Sequence, residues 1–445
     1  MSSEWSATRL RYLVSIKHGF AFKGEFFVDE ETPLQLTTPG NFAIGGGFQY
    51  GKGKYYAGPV PSDYVLQTGD LIVTMTDLSK AADTLGYAAV VPNGTGTTWL
   101  HNQRVGLVRP QEGVNVHMGY IHYLMRSPDY RHWVVSTATG STVKHTSPDR
   151  ILSYEFLLPS LAEQREIGET LATLDDRISL LRQTNATLEA VAQALFKSWF
   201  VDFDPVRAKA EGRQPEGMDA ATATLFPDSF EESELGLVPK GWMSRSIYDM
   251  ATYINGAAYK AFEPNADRRG LPIIKIAELK AGVSAQTAFS DVSMPAKYLI
   301  ETGDILFSWS GNPDTSIDTF VWQHAPALLN QHIFRVLPHE SFERSFVLQM
   351  LRNLKPVFAE LARNKQTTGL GHVTVADMKR LQVVYPPMSV IEQFNTLAVP
   401  IHQMIFGNDQ QAQTLTQLRD TLLPRLISGQ LRLPEAENII EGTLP

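Results

Sequence analysis

The sequence is written twice, and a duplication of this extent constrains the fold more than any single motif can. Trp5 stands 18 residues before Lys23, in a stretch ending Lys17-His18-Gly19-Phe20-Ala21-Phe22-Lys23. Trp242 stands 18 residues before Lys260, in one ending Ile254-Asn255-Gly256-Ala257-Ala258-Tyr259-Lys260. Further on, Tyr64-Val65-Leu66-Gln67-Thr68-Gly69-Asp70-Leu71-Ile72-Val73 answers Tyr298-Leu299-Ile300-Glu301-Thr302-Gly303-Asp304-Ile305-Leu306-Phe307. Asn102-Gln103 pairs with Asn330-Gln331, a polar Gly/Thr loop ending in His145 with one ending in His372, and Pro159 and Glu163-Gln164 with Pro387 and Glu392-Gln393. The offset drifts only from 237 to 227 residues across the block. Each copy reads as short strands, with Thr-Gly-Asp as a turn before a buried strand, and a helical stretch near its end, around Met118–Arg126 and Phe346–Leu361. The expected class is therefore α/β, with two repeated mixed α/β domains.

After each block the period changes. Ile167, Leu171, Leu174, Ile178, Leu181, Asn185, Leu188, Ala192, Leu195 and Trp199 recur at alternating spacings of 4 and 3, a heptad seam. The run from Ile167 to Trp199 makes a helix of roughly 50 Å. The second copy gives Leu397, Ile401, Met404, Asn408, Gln411, Leu415, Leu418 and Leu422, with Pro400, Gly407 and Pro424 weakening it. So narrow a seam needs a partner helix. Each helix could pack on its own block, or the two could pack on each other as a rod separating the blocks, an antiparallel coiled coil. Asn185 and Asn408 could fix the register across the seam, or mark where it meets water. Between the copies, residues 202–240 hold Pro205, Pro215, Pro227, Pro239, three glycines and nine acidic residues, the composition of a linker. The expected organisation is 1–160 and 241–388 as the two domains, 161–201 and 389–430 as the helices, 202–240 as linker and 431–445 as tail.

Composition excludes some chemistry. With no cysteine there is no disulfide scaffold, no cysteine-ligated zinc or iron–sulfur site and no thiol nucleophile. No apolar run is long enough to span a bilayer and no basic-then-apolar leader opens the chain, so no membrane partner and a cytoplasmic location are expected. The net charge of -8 is uneven: Lys+Arg balance Asp+Glu at 13 against 13 in residues 1–160 and 15 against 13 in 241–388, so the acidity lies outside the two large blocks. Whole-chain charge is weak testimony against DNA. Several catalytic look-alikes fail. Gly46-Gly47-Phe48-Gln49-Tyr50-Gly51-Lys52 has phosphate-loop spacing, but Gly53 stands where Ser or Thr must reach magnesium. Asp267 with Glu278-Leu279-Lys280 imitates a nuclease triplet that the first block lacks. Asn312-Pro313-Asp314 lacks the second Pro and the aromatic of an amino-methyltransferase motif, and His117 and His122 are wrongly spaced for a zinc helix. No catalytic or metal residues are assigned.

The most specific strings close the helices: Ala194-Leu195-Phe196-Lys197-Ser198-Trp199-Phe200-Val201-Asp202-Phe203-Asp204-Pro205-Val206, and Thr421-Leu422-Leu423-Pro424-Arg425-Leu426-Ile427-Ser428-Gly429-Gln430-Leu431. With Leu235-Gly236-Leu237-Val238-Pro239-Lys240-Gly241-Trp242 leading into the second block, the chain resembles the specificity subunit of type I restriction–modification systems over nearly its whole length. The resemblance implies a non-catalytic, DNA-binding subunit with two target recognition domains, each reading half of an interrupted double-stranded DNA site, and paired helices that act as a ruler. It implies two methyltransferase subunits docked along the helices, two restriction/translocase subunits, and S-adenosylmethionine, ATP and Mg held by those partners, with no cofactor in this chain. The alternatives are a duplicated protein-interaction scaffold that no longer reads DNA and, more remotely, a self-contained nuclease.

Phosphates call for Lys, Arg and hydroxyls, and base edges for Arg, Lys, Asn and Gln. In the first block these point to Lys17, Lys23, Lys52, Lys54, Tyr55, the segment with Thr76, Ser79 and Lys80, and Lys144-His145. In the second they point to Tyr259-Lys260, Arg268-Arg269, Lys275, Ser308-Trp309-Ser310 with Asn312, and Lys365-Gln366. Asn102-Gln103 and Asn330-Gln331 recur unchanged, which suits the fold or a shared backbone contact better than base discrimination.

Overall fold

The computed structural model describes residues 5–79, 81–93, 96–366 and 370–443. It divides into two compact units, Met1–Ser179 with Gln413–Pro445, and Leu180–Ala412. Among the described residues no helix is long and apolar enough to cross a membrane.

Each unit builds the same block. In the first, an antiparallel sheet runs in the order Val14–His18, Val105–Pro110, Leu71–Thr74, Ala88–Val90. In the second the order is Ala251–Asn255, Ile333–Pro338, Ile305–Ser308, Asp318–Val321. A smaller sheet of four shorter strands accompanies each, and in both it contains one parallel pair, Leu34–Leu36 with Thr98–Leu100 and Leu271–Ile274 with Ala327–Leu329. The block is closed by Ser6–Arg9 on Glu155–Leu158, and by Met243–Ser246 on Gln382–Tyr385.

The repeated residues are those the backbone cannot do without. Gly69 and Gly303 have φ of +86° and +96°, the left-handed region that glycine enters at little cost. The carboxylates that follow them accept from backbone N–H, Asp70 from Gln67 at 2.9 Å and Asp304 from Glu301 at 2.7 Å. Each then pairs with an arginine of the neighbouring strand, Arg109 and Arg335, at 2.8 Å. A Cβ on Gly19 would stand 2.0 Å from the Asn102 carbonyl oxygen, and one on Gly256 2.2 Å from that of Asn330. The recurring Asn102 and Asn330 are accordingly buried, where two chain segments pass at van der Waals contact.

The acidic Pro/Gly stretch 202–240 is not an open linker. It forms helices at Asp204–Ala210 and Ala220–Thr224 and a hairpin of Phe230–Ser233 with Gly236–Pro239. Phe203, Val206 and Phe226 join the core of the second unit beside Phe196, Trp199, Phe200 and Trp242. Composition misleads here because the charges face water while the few large apolar residues are anchored.

The long helices are Leu161–Phe200 and Met388–Ile427, 40 residues each, the second running unbroken through Pro400 and Gly407. They pair antiparallel in each unit. In the first, Arg419 meets Asp175 at 2.6 Å; in the second, Asn408 Nδ2 donates to Asn185 Oδ1 at 2.8 Å. Ile167, Leu171, Leu174, Ile178, Leu415, Leu418 and Leu422 are buried, whereas Leu181, Leu188, Leu195 and Ile401 are half-buried. Leu397 and Met404, expected on the seam, are 47% and 53% exposed, and Ile391, Phe394 and Ala398 are buried instead. A helix of 3.6 residues per turn drifts about 20° per heptad against a strict seven-residue repeat, which carries the buried face off the expected seam. There the helix ends pack on the block core rather than only on each other.

Candidate nucleic-acid interface

At one end of the longer-stranded sheet of each block, Leu71–Thr74 and Ile305–Ser308 run on through one residue that changes partner and then into a short two-stranded ribbon. In the first block that residue is Met75, whose N–H donates to the Arg104 carbonyl at 3.0 Å and whose own carbonyl accepts from Thr146 at 3.0 Å. The ribbon pairs Thr76 with His145 and Asp77 with Lys144. In the second block it is Trp309, with its N–H on the His332 carbonyl at 3.3 Å and its carbonyl accepting from Val373 N–H at 2.8 Å. The ribbon pairs Ser310 with His372 and Gly311 with Gly371. Two segments far apart in sequence, the one after Thr-Gly-Asp and the polar loop ending in histidine, thus lie side by side in both copies. His18 and Asn255 end the first strand beside this point, in register with Gly106 and Phe334.

Identical backbone carries different side chains. Met75 stands where the other block has Trp309, Arg104 where it has His332, and His18 where it has Asn255. Arg104, His18 and Asn255 are exposed, and among the described residues no carboxylate pairs with Arg104. Sequence reasoning missed these three. Their signal was substitution immediately next to residues that recur unchanged, Gln103/Gln331 and Gly19/Gly256.

The expected DNA contacts sort into two groups. His145 is exposed on the ribbon and its Nδ1 lies 3.2 Å from Thr76 Oγ1; Lys144 is half-buried beside it. Ser310 is half-buried on the second ribbon, and Trp309 sits over His332 at 5.5 Å between ring centroids. Lys275 and Tyr259 adjoin that ribbon: Ile276 would contact a Cβ on Gly311 at 3.7 Å, and Lys275 Nζ lies 4.9 Å over the Tyr259 ring. Lys260 and Gln366 are exposed. Lys17 is exposed on the first strand, its Nζ donating to the Asp63 carbonyl at 2.9 Å and lying 4.5 Å over Tyr64. Lys52, Lys54 and Tyr55 belong to the smaller sheet and its loop, where Tyr55 donates to Glu31 at 3.0 Å and Lys54 covers Phe27. Lys23 is exposed, 3.6 Å from Glu25. Lys80 lies outside the described residues.

The other group is spent inside the fold. Thr76 and Ser308 are buried, at 5% and 0% exposure. Ser79 is half-buried, and its N–H donates to Asp77 Oδ1 at 2.6 Å. Burial alone would raise the Asp77 carboxyl, but N–H groups of Ser79 and Thr84 outweigh it and hold its pKa below the usual value, so an ionised Asp77 shapes this loop. Arg268 donates to the carbonyls of Ser284, Ala285 and Thr287, and Arg269 is shared between Asp267 at 2.7 Å and Asp291 at 2.9 Å. Asn312 Oδ1 accepts from Asp314 and Thr315 N–H, closing a turn. Lys365 is ion-paired with Asp377. Such local partners satisfy the very donors a phosphate would use.

The catalytic look-alikes are likewise occupied. Glu278 is buried, capping its helix through Lys275 N–H at 3.0 Å and accepting from Thr287, while Asp267 is held by Arg269. Gly46-Gly47 lies in a tight turn closed by Ala43 N–H on the Gly47 carbonyl, and a strand rather than a helix follows at Tyr55–Tyr56. His122 is buried against Arg126 at 3.1 Å. Among the described residues no group of three His, Asp or Glu is placed to hold a metal.

Residues 38–190 and 239–421 match the profile of the family described as type I restriction modification DNA specificity domain. Among curated proteins, the chain is similar to the type I restriction enzyme MjaIX specificity subunit of Methanocaldococcus jannaschii, 24% identical over 79% of this chain and 76% of that one. It is similar also to the HindI specificity subunit of Haemophilus influenzae, 25% identical over 67% of this chain and 73% of that one. Among solved structures, the S subunit of a type I restriction–modification system from M. genitalium aligns with 95% of this chain and 96% of its own, at a TM-score of 0.54 and 13% identity, a likeness of fold.

Proposed function

The chain belongs to the family of type I restriction–modification DNA specificity subunits, and on that premise we propose that it reads an interrupted, two-part DNA site, one half per block, through the ribbon end of the longer-stranded sheet. The observation that carries this reading is the constant backbone with exchanged side chains, Met75/Trp309, Arg104/His332 and His18/Asn255. A duplicated scaffold built to hold one partner twice has no reason to vary there; one that reads two different half-sites must. Ribbons and exposed basic groups suit the major groove, where every base pair presents a distinct pattern.

In this reading the helix pair fixes the unspecified gap. Forty residues at 1.5 Å extend about 60 Å, more than one ~34 Å turn of DNA. The chain itself supplies recognition. Two methyltransferase subunits docked along the helices bring S-adenosylmethionine to adenine N6, and two restriction/translocase subunits bring ATP and Mg for translocation and cutting. The test is to co-express the chain with a methyltransferase subunit from its own genome and map N6-methyladenine. The expected result is one interrupted motif, methylated on both strands and absent without this chain. A stable complex with no motif overturns the reading and leaves a protein-interaction scaffold.

A further inference from the structure

Resting on that reading, we infer that Asn255 is a specificity-determining residue that recognises adenine in the half-site of the second block, and that Trp309 is the positioning residue that aims it. Asn255 is exposed at the end of its strand, with its backbone locked in antiparallel register opposite Phe334. Its Oδ1 accepts from the Trp309 indole Nε1 at 3.1 Å. An indole nitrogen only donates, so the amide atom facing it has to be the oxygen, and Nδ2 with its two hydrogens is turned the other way. The amide rotor, otherwise free to present either face, has one orientation.

Trp309 can impose that orientation because it is itself fixed. Its N–H is bound to the His332 carbonyl, its carbonyl to Val373 N–H, and its ring is held by His332 and Phe334 at 5.5 and 5.9 Å between centroids. What remains available on Asn255 is a second lone pair on Oδ1 and the Nδ2 donors, side by side. That is the complement of the major-groove edge of adenine, whose N6–H donates and whose N7 accepts. Guanine offers two acceptors on the same edge and would leave Oδ1 facing O6. The first block has neither partner: His18 replaces Asn255 and a buried Met75 replaces Trp309, so the effect belongs to one half-site only.

The experiment is the methylation map of Asn255→Ala and Trp309→Phe chains, each co-expressed with the methyltransferase subunit, with co-purification of the complex as the folding check. Asn255→Ala is expected to relax the motif at one A·T pair in one half by roughly 10–100-fold, leaving the other half as in the unmodified chain. Trp309→Phe keeps an aromatic ring, removes the indole N–H, and is expected to relax the same pair. Should Asn255→Ala fail to form the complex, the isosteric Asn255→Asp decides. It keeps an acceptor for the indole but sets a second acceptor against N7, and so abolishes the preference for adenine there. A motif unchanged in the variants overturns the inference, as does relaxation at a G·C pair or an equal loss across both halves. An unmodified chain that yields no interrupted motif fails the underlying reading instead.

Discussion

Asp175, on the first long helix, sits between two guanidinium groups, Arg126 of the first block and Arg419 of the second long helix, each at 2.6 Å. Burial alone would raise this carboxyl, but the two arginines outweigh it and hold its pKa at about 2. The unfolded chain takes up the proton near pH 4, so the stabilisation is full above that value and is lost as pH falls toward 2. Asp175→Asn is expected to cost about 2 kcal/mol at neutral pH and to flatten the acid limb of stability between pH 4 and 2, read by thermal unfolding. Histidines add a second limb. Burial holds His101 and His402 at about 4 and His122 at about 3, so each is neutral when folded and charged when unfolded below ~6.5. Stability present above pH ~6.5 is therefore lost as pH drops toward 4, and the thermal midpoint at pH 5 is expected to lie below that at pH 7.5. At the interface, Arg104→Ala is expected to lower discrimination by ~1–3 kcal/mol in the half-site opposite to that of Asn255, measured as relaxed methylation at one position. Residue identity was the least legible level of the sequence. Lysines and arginines announce charge but not its use, and Arg268, Arg269 and Lys365 are committed to carbonyls and carboxylates of their own block. The exposed Arg104 carried no composition signal at all.

Elements were more legible, and the failures have one physical source. The period of the long helices is readable over 40 residues, but a heptad template cannot say where a helix leaves its partner to join a globular core. In the second unit that happens at Ile391, Phe394 and Ala398, so Phe394→Ala is expected to cost ~3–5 kcal/mol, whereas Leu397→Gln and Met404→Gln stay within about 0.5 kcal/mol, measured by denaturant unfolding. In the polar layer nearby the seam asparagines bond across the helix pair. Asn185 Nδ2 donates to Asp409 Oδ1 at 2.7 Å and to the Ile405 carbonyl at 3.0 Å, and its Oδ1 accepts from Asn408. Burial raises the Asp409 carboxyl, with Asn185 the first group to oppose it. Asn185→Ala strips that partner from a half-buried carboxylate and is expected to destabilise by ~1–3 kcal/mol, seen as a lower thermal midpoint. The Thr-Gly-Asp turns were legible because turn chemistry is local. Segment 202–240 was misread because docking of Phe203 and Phe226 is not.

At the scale of the whole chain, duplication was the most reliable signal, since residues that recur in both copies stand where the backbone requires them. Gly19 and Gly256, the Asp70–Arg109 and Asp304–Arg335 pairs, and the buried Asn102 and Asn330 are that requirement. On the proposed reading, what differs around the ribbons is what meets different bases. The proposed division of labour is that each block keeps its own half-site while the paired helices set the gap. It is tested most directly by adding one heptad to each long helix, after Ser179 and after Ala412, and mapping adenine methylation. Seven residues add about 10 Å and keep the seam nearly in phase. The expected motif has the same two half-sites with a gap longer by about three base pairs, at ~3.4 Å each. A stable complex that methylates the original motif, or one whose half-sites themselves change, contradicts the claim.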